Sequence, residues 1–137
     1  MIETIYHHRF LRFPRNETIR AIKSVLRGER RSRCAVSVVF TDHEYIRKLN
    51  REFLQHNFST DVIAFPLGSK KKAEGEIYVN LDRARVQARS YQVTFSNEAR
   101  RLLIHGVLHL LGYRDKTRKE QTKMKEREDY YLARLAS

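Results

Sequence analysis

The sequence predicts an α+β fold, a small mixed sheet packed with about five helices, and three observations carry that expectation. Apolar residues alternate between short valine- and isoleucine-rich runs and stretches of helical period. The resulting order reads β-α-β-α-β-β-α-α-α, with the two adjacent strands joined by a glycine-bounded connection. No repeat, low-complexity tract or linker interrupts the 137 residues, a length suited to one domain spanning residues 1–137 that buries roughly two thirds of its unfolded surface.

ETIYHH reads as the first strand, followed by a turn at RFPRN and a helix over ETIRAIKSVLRGE with Asn16 as its cap. Ile19, Ile22, Val25 and Leu26 supply that helix's apolar face, and Gly28 closes it. Cys34 to Phe40 is a buried strand, after which Thr41 and Glu44 form a capping box for a helix presenting Tyr45, Ile46, Leu49 and Phe53 on one side. QHNFST ends the helical pattern, and Asp61 to Phe65 is a strand stopped by Pro66. LGSKKKAEG then connects to the strand EIYVN, as a hairpin or a longer connection. Helices follow from Asp82 to about Tyr91 and from Ser96 to Gly112, and the capping box Thr117/Glu120 opens the last one.

Lys and Arg number 28 against 16 Asp and Glu, a net charge of +12. Such an excess attracts polyanions by counterion release and steered encounter, so nucleic acid or the ribosome is the natural partner, with solubility or an anionic membrane surface as the alternatives. No apolar run is long enough to cross a bilayer, and MIETIYHHRF lacks the apolar core of a signal peptide. A cytoplasmic protein without membrane association is therefore expected. The single cysteine, Cys34, has no internal disulfide partner and opens an apolar run, which marks it as a buried small residue rather than a catalytic thiol.

The chemistry concentrates in HGVLHLLGYRD. His105 and His109 are four apart on an expected helix, a rotation of about 400° that puts both imidazoles on one face. Gly112 stands where the helix can end in a left-handed conformation, so that the chain turns back and brings Asp115 to the same metal. Three protein ligands leave a position for water, whose deprotonation zinc favours, and hydrolysis is the chemistry such a site supports. The competing structural reading has two hydrogen-bonded, partly buried histidines and an aspartate that only caps a turn. Gly106 stands where zincin peptidases of the H-E-x-x-H pattern carry their general base, which counts against a peptidase. It leaves space beside the first ligand, for helix packing or for an incoming phosphodiester.

HGVLHLLGYRD, the upstream stretch LNREFLQHNFSTDVIAF and the strand GEIYVN, in this order, resemble the YbeY family of bacterial endoribonucleases and rRNA maturation factors over most of the chain. The resemblance implies a zincin-like fold, one zinc ion, and single-strand-directed cleavage in small-subunit (16S) rRNA maturation and ribosome quality control, with ribosomal RNA and the small subunit as partners. It places the family's two metal histidines on His105 and His109 and its third ligand, usually histidine, on Asp115. Aspartate is a competent but harder ligand that lowers the site's charge by one, and a two-histidine, one-carboxylate set also suits iron or another divalent metal.

A second departure lies in the family's LNxxYRxxDxPTDVLSF pattern, where the catalytic arginine corresponds to Leu54 and the following aspartate to Asn57. Leucine cannot offset charge on phosphoryl oxygens. Arg51, one helical turn earlier, and Arg114 and Lys116, flanking Asp115, are the candidate substitutes, with His105 itself both ligand and catalytic. Lys70, Lys71, Lys72 and Lys116 are candidate RNA contacts, and Tyr113 is the aromatic to test for base stacking. Thr60 and Asp61 keep the family's Thr-Asp pair, for which capping a turn is the favoured role. An RNA-binding ribosome assembly factor with a structural or weakly catalytic metal is the rival to the endoribonuclease.

Overall fold

The computed structural model describes residues 1–55, 59–68 and 72–136. Its order is β1 (Ile2–Tyr6), α1 (Arg15–Gly28), β2 (Cys34–Thr41), α2 (His43–Leu49), a π-helical turn (Asn50–Leu54), β3 (Val62–Pro66), β4 (Ala73–Asn80), α3 (Leu81–Ser90), α4 (Phe95–Leu110) and α5 (Arg118–Ala136). The expected α+β fold is therefore present, with a four-stranded mixed sheet and five α-helices in the order read from the sequence.

The sheet runs β1-β2-β4-β3, with β1, β2 and β4 parallel and β3 antiparallel to β4. Strand residues alternate between two environments because successive side chains point to opposite faces. Val36, Val38, Phe40, Ala73, Ile77 and Val79 point into the main core, where α1, α4 and α5 contribute Ile22, Val25, Leu103, Val107 and Tyr131. The opposite face carries a smaller cluster in which Ile46 and Leu49 of α2 cover Ile63, Phe65 and Tyr78. α4 lies close against β4, since a Cβ on Gly106 would stand 2.6 Å from Ile77 Cγ2. Close packing is thus the role that Gly106 has here.

Several local expectations are corrected. α1 starts at Arg15 after Pro14, so Asn16 lies inside the helix rather than capping it; proline's fixed φ suits a helix start and Thr18 donates back to the Pro14 carbonyl. Gly28 does not close α1 by a left-handed turn: that conformation falls on Arg30, at φ 58°, and Gly28 makes room for the Tyr131 ring. Thr41 is the last residue of β2, and Asp42 caps α2 by accepting from the Tyr45 N–H at 2.9 Å. Asn80 and Thr94 likewise cap α3 and α4, each of which starts one residue ahead of the expected position. The Thr117/Glu120 box is present in both directions, at 3.1 and 2.9 Å.

Phe53 does not join Ile46 and Leu49 in the cluster. The helix widens after Leu49 into the π-helical turn, which changes the angle between successive side chains, and Phe53 is exposed, edge-on to Phe65. Cys34 is half-buried rather than buried, at the start of β2. Among the described residues no helix is long and apolar enough to cross a membrane.

Candidate metal centre

α4 carries both histidines, and the turn after it returns the third group. Gly112 adopts φ 102°, and its N–H and that of Tyr113 bond back to the His109 and Leu108 carbonyls at 3.0 Å each. This reversal places Asp115 Oδ2 3.3 Å from His105 Nε2 and 3.5 Å from His109 Nε2, with the two Nε2 atoms 3.0 Å apart. Metal bonds of about 2.0–2.1 Å in a tetrahedron require donors about 3.3–3.4 Å apart. The three atoms stand near that spacing, so the donor set fits a small divalent cation.

The outward nitrogens fix which ring atoms face inward. His109 Nδ1 lies 2.9 Å from the Tyr113 carbonyl oxygen, which only accepts, so Nδ1 carries the hydrogen. His105 Nδ1 lies 2.5 Å from Glu128 Oε2, a buried carboxylate. In the neutral tautomers that a metal requires, rings held this way turn their two Nε2 lone pairs toward each other and toward the Asp115 oxygen, a donor set that attracts a cation. Burial alone would lower the His105 pKa, but the Glu128 hydrogen bond and the charges of Glu128, Asp115 and Asp61 outweigh it and raise it.

His105 and Asp115 border an open cleft of about 610 Å³ between α4 and α5, with Tyr91 and Val93 at its rim. Arg101 lines it between two carboxylates, Glu98 at 2.5 Å and Glu128 at 3.0 Å. Its pKa is raised, first by the Glu98 hydrogen bond and against the effect of burial.

The remaining candidates are spread more widely. Arg114 is exposed and faces Glu120 at 3.7 Å, around a separate hollow with Gly112, Tyr113 and Lys123 rather than in the His105 cleft. Lys116 is exposed, and its backbone N–H bonds Glu120. Arg51 and Leu54 are exposed on the π-helical turn. Lys72 is exposed beside Arg33 and Glu74 at the start of β4; Lys70, Lys71 and Asn57 lie outside the described residues. Tyr113 donates its hydroxyl to Glu29 at 2.7 Å, so its ring is tied to the residue that follows α1. The carbonyls of Thr60 and Asp61 are held by Asn80 at 2.9 and 2.8 Å, a structural role, and the Asp61 charge acts on His105.

Sequence reasoning missed Glu128, Arg101 and Glu98. A signal was available: Met124, Glu128, Tyr131 and Leu135 form the buried stripe of α5, and a carboxylate within such a stripe demands a partner. Glu98 stands in the same relation to the buried face of α4.

Residues 7–136 match the family described as Endoribonuclease YbeY. A protein of that name from Chlorobium luteolum is 42% identical over 116 residues, 85% of each chain. Another from Chloroherpeton thalassium is 39% identical over 122 residues, 89% of this chain and 86% of the relative. The solution structure of a structural-genomics target from Thermotoga maritima superposes with a TM-score of 0.66 at 27% identity, covering 98% of this chain and 89% of that one.

Proposed function

The chain belongs to the YbeY endoribonuclease family, and on that premise we propose that it is a metal-dependent endoribonuclease cutting single-stranded RNA in small-subunit rRNA maturation and ribosome quality control. Ribosomal RNA and the small subunit are its partners in this reading, and the cytoplasm its compartment. The observation that carries it is the triad His105, His109 and Asp115, three donor atoms 3.0 to 3.5 Å apart.

Zinc is the proposed metal, with iron also compatible with two imidazoles and one carboxylate. Bound there, a divalent cation supplies positive charge to phosphoryl oxygens and eases deprotonation of water. The chain's own part is to present the two Nε2 lone pairs and the Asp115 oxygen without reorganisation, because Glu128 and the Tyr113 carbonyl hold the rings from behind. Phosphate oxygens need further cations. Arg51, Arg114 and Lys116 are proposed for that task, and Lys70, Lys71 and Lys72 for backbone contacts along the RNA.

One feature favours the second reading, an RNA-binding assembly factor with a structural or weakly catalytic metal: Leu54 stands where the resemblance calls for arginine. One experiment separates the two. Wild type, His109→Ala and Asp115→Ala are purified, their metal content is measured, and each is assayed on single-stranded and duplex RNA with and without chelator. Wild type should carry about one metal per chain and cut single strands in a chelator-sensitive way; His109→Ala should lose both properties. Metal without cleavage selects the assembly factor, and equal cleavage by all three proteins reveals a contaminating nuclease.

A further inference from the structure

We propose that Glu128 is a positioning residue for His105 and that through it the docking of the C-terminal helix α5 is coupled to metal occupancy. The coupling rests on the metal reading of the triad.

A buried chain of hydrogen bonds carries the argument. Glu128 is 3% exposed, and each of its oxygens has one partner: Oε2 faces His105 Nδ1 and Oε1 accepts from Arg101 Nη1. Arg101 also donates through Nε and Nη2 to both oxygens of Glu98, which is 1% exposed, and Glu98 accepts in addition from Gln87 Nε2 at 2.7 Å. The chain thus runs from Gln87 on α3, through Glu98 and Arg101 on α4, to Glu128 on α5. A fully partnered network of this kind holds its members in one arrangement, whereas removing one member strands a buried charge.

His105 has its only described Nδ1 partner on α5. When α5 is docked, the carboxylate fixes the hydrogen on Nδ1 and aims the Nε2 lone pair at the donor set; when α5 is displaced, that constraint is gone. A metal that prefers the aimed ring therefore prefers docked α5, and linkage makes the preference reciprocal. α5 keeps independent anchors in Met124, Tyr131 and Leu135 and in the Arg127 and Tyr131 bonds to Glu29, so a Glu128 variant retains a means of folding.

The test compares full-length wild type with Glu128→Gln, both stripped of metal, by Zn²⁺ titration and by hydrogen exchange. Outer-sphere partners of metal ligands are worth about 10- to 100-fold in affinity, and Glu128→Gln should bind Zn²⁺ more weakly by about that factor. Zn²⁺ should slow exchange along α5 of the wild type, and Glu128→Gln should lose that protection while keeping it in α4. Should Glu128→Gln fold poorly, the wild-type exchange measurement still decides: α5 exchange that ignores Zn²⁺ while α4 responds overturns the coupling. Unchanged Zn²⁺ affinity in a folded Glu128→Gln overturns the positioning role. Wild type that takes up no Zn²⁺ overturns the metal reading itself.

Discussion

The two halves of the proposed site, the triad and the turn on which the resemblance places the family's arginine, are built to different standards. On the α4–α5 side, each imidazole has its outward nitrogen bonded to a buried or backbone acceptor, and the donors converge within 3.5 Å. In the other half, the π-helical turn Asn50–Leu54 presents Arg51, Glu52, Phe53 and Leu54 to solvent, with leucine where the resemblance calls for arginine. Preorganisation is what gives fixed groups their catalytic leverage. The contrast therefore teaches that the triad is held in a rigid frame, while the turn on which the resemblance places a phosphate-neutralising arginine carries leucine there and offers Arg51 without a buried frame.

The largest expected change follows from restoring that residue. Leu54→Arg puts a guanidinium back on an exposed position, 42% accessible at present, so the substitution costs little stability. Removing one well-placed charge-stabilising donor typically costs about 10²–10³ in rate; a cation added on an unframed turn should recover less, about tenfold in kcat on single-stranded RNA, with metal content unchanged. If cleavage does not move, phosphate charge is neutralised elsewhere, and Arg51→Ala and Arg114→Ala become the informative variants. A rise in metal content instead would break the division between the halves.

A smaller effect is expected from the rigid half. Asp115→His replaces a carboxylate with the ligand usual in the family and raises the site's charge by one. Zn²⁺ should still bind, and the acidic limb of the pH–rate profile should move down by up to about one unit. A protein that loses Zn²⁺ altogether would mean that the turn at Gly112 is cut to the reach of aspartate and does not accommodate an imidazole.

How far the sequence disclosed these halves follows from the range of the interactions involved. The triad was legible because helix period and one turn glycine are local: His105, His109 and Gly112 lie within eight residues, and Asp115 three further on. The strand and helix order was legible for the same reason. Glu128 was not, because its meaning depends on α5 returning across α4, a contact 23 residues distant in sequence. The π-helical turn was also illegible, since Leu49 to Phe53 satisfies the apolar spacing of an ordinary helix and only the observed widening turns Phe53 outward. The caps of α1 and α2 were misread by a residue or two because Asn16 and Thr41 are as suitable in type as the residues that do the capping, and the starts of α3 and α4 lie one residue before those read.

The smallest effect sets the two halves against each other in acid. Asp82 braces the α2 side, accepting from His8 Nε2 at 2.7 Å and from the His43 N–H at 3.2 Å. Burial would raise its pKa, but these bonds and the nearby histidine charges outweigh it and lower the value. Glu29 braces the metal side, where burial is likewise outweighed by bonds from Tyr131, Tyr113 and Arg127. A carboxylate whose folded pKa is lowered adds stability above its unfolded pKa and loses it as pH falls through the folded one. The melting temperature should therefore drop as the pH goes from about 5 to 3, and both Asp82→Asn and Glu29→Gln should flatten that drop. Amide spectra give the discriminating readout. Asp82→Asn should perturb His43–Leu49 and leave Tyr113 to Glu120 unmoved, and Glu29→Gln should do the reverse. If either variant disturbs both segments equally, the halves are one cooperative unit, and the contrast between them is confined to the exposed side chains of the Asn50–Leu54 turn.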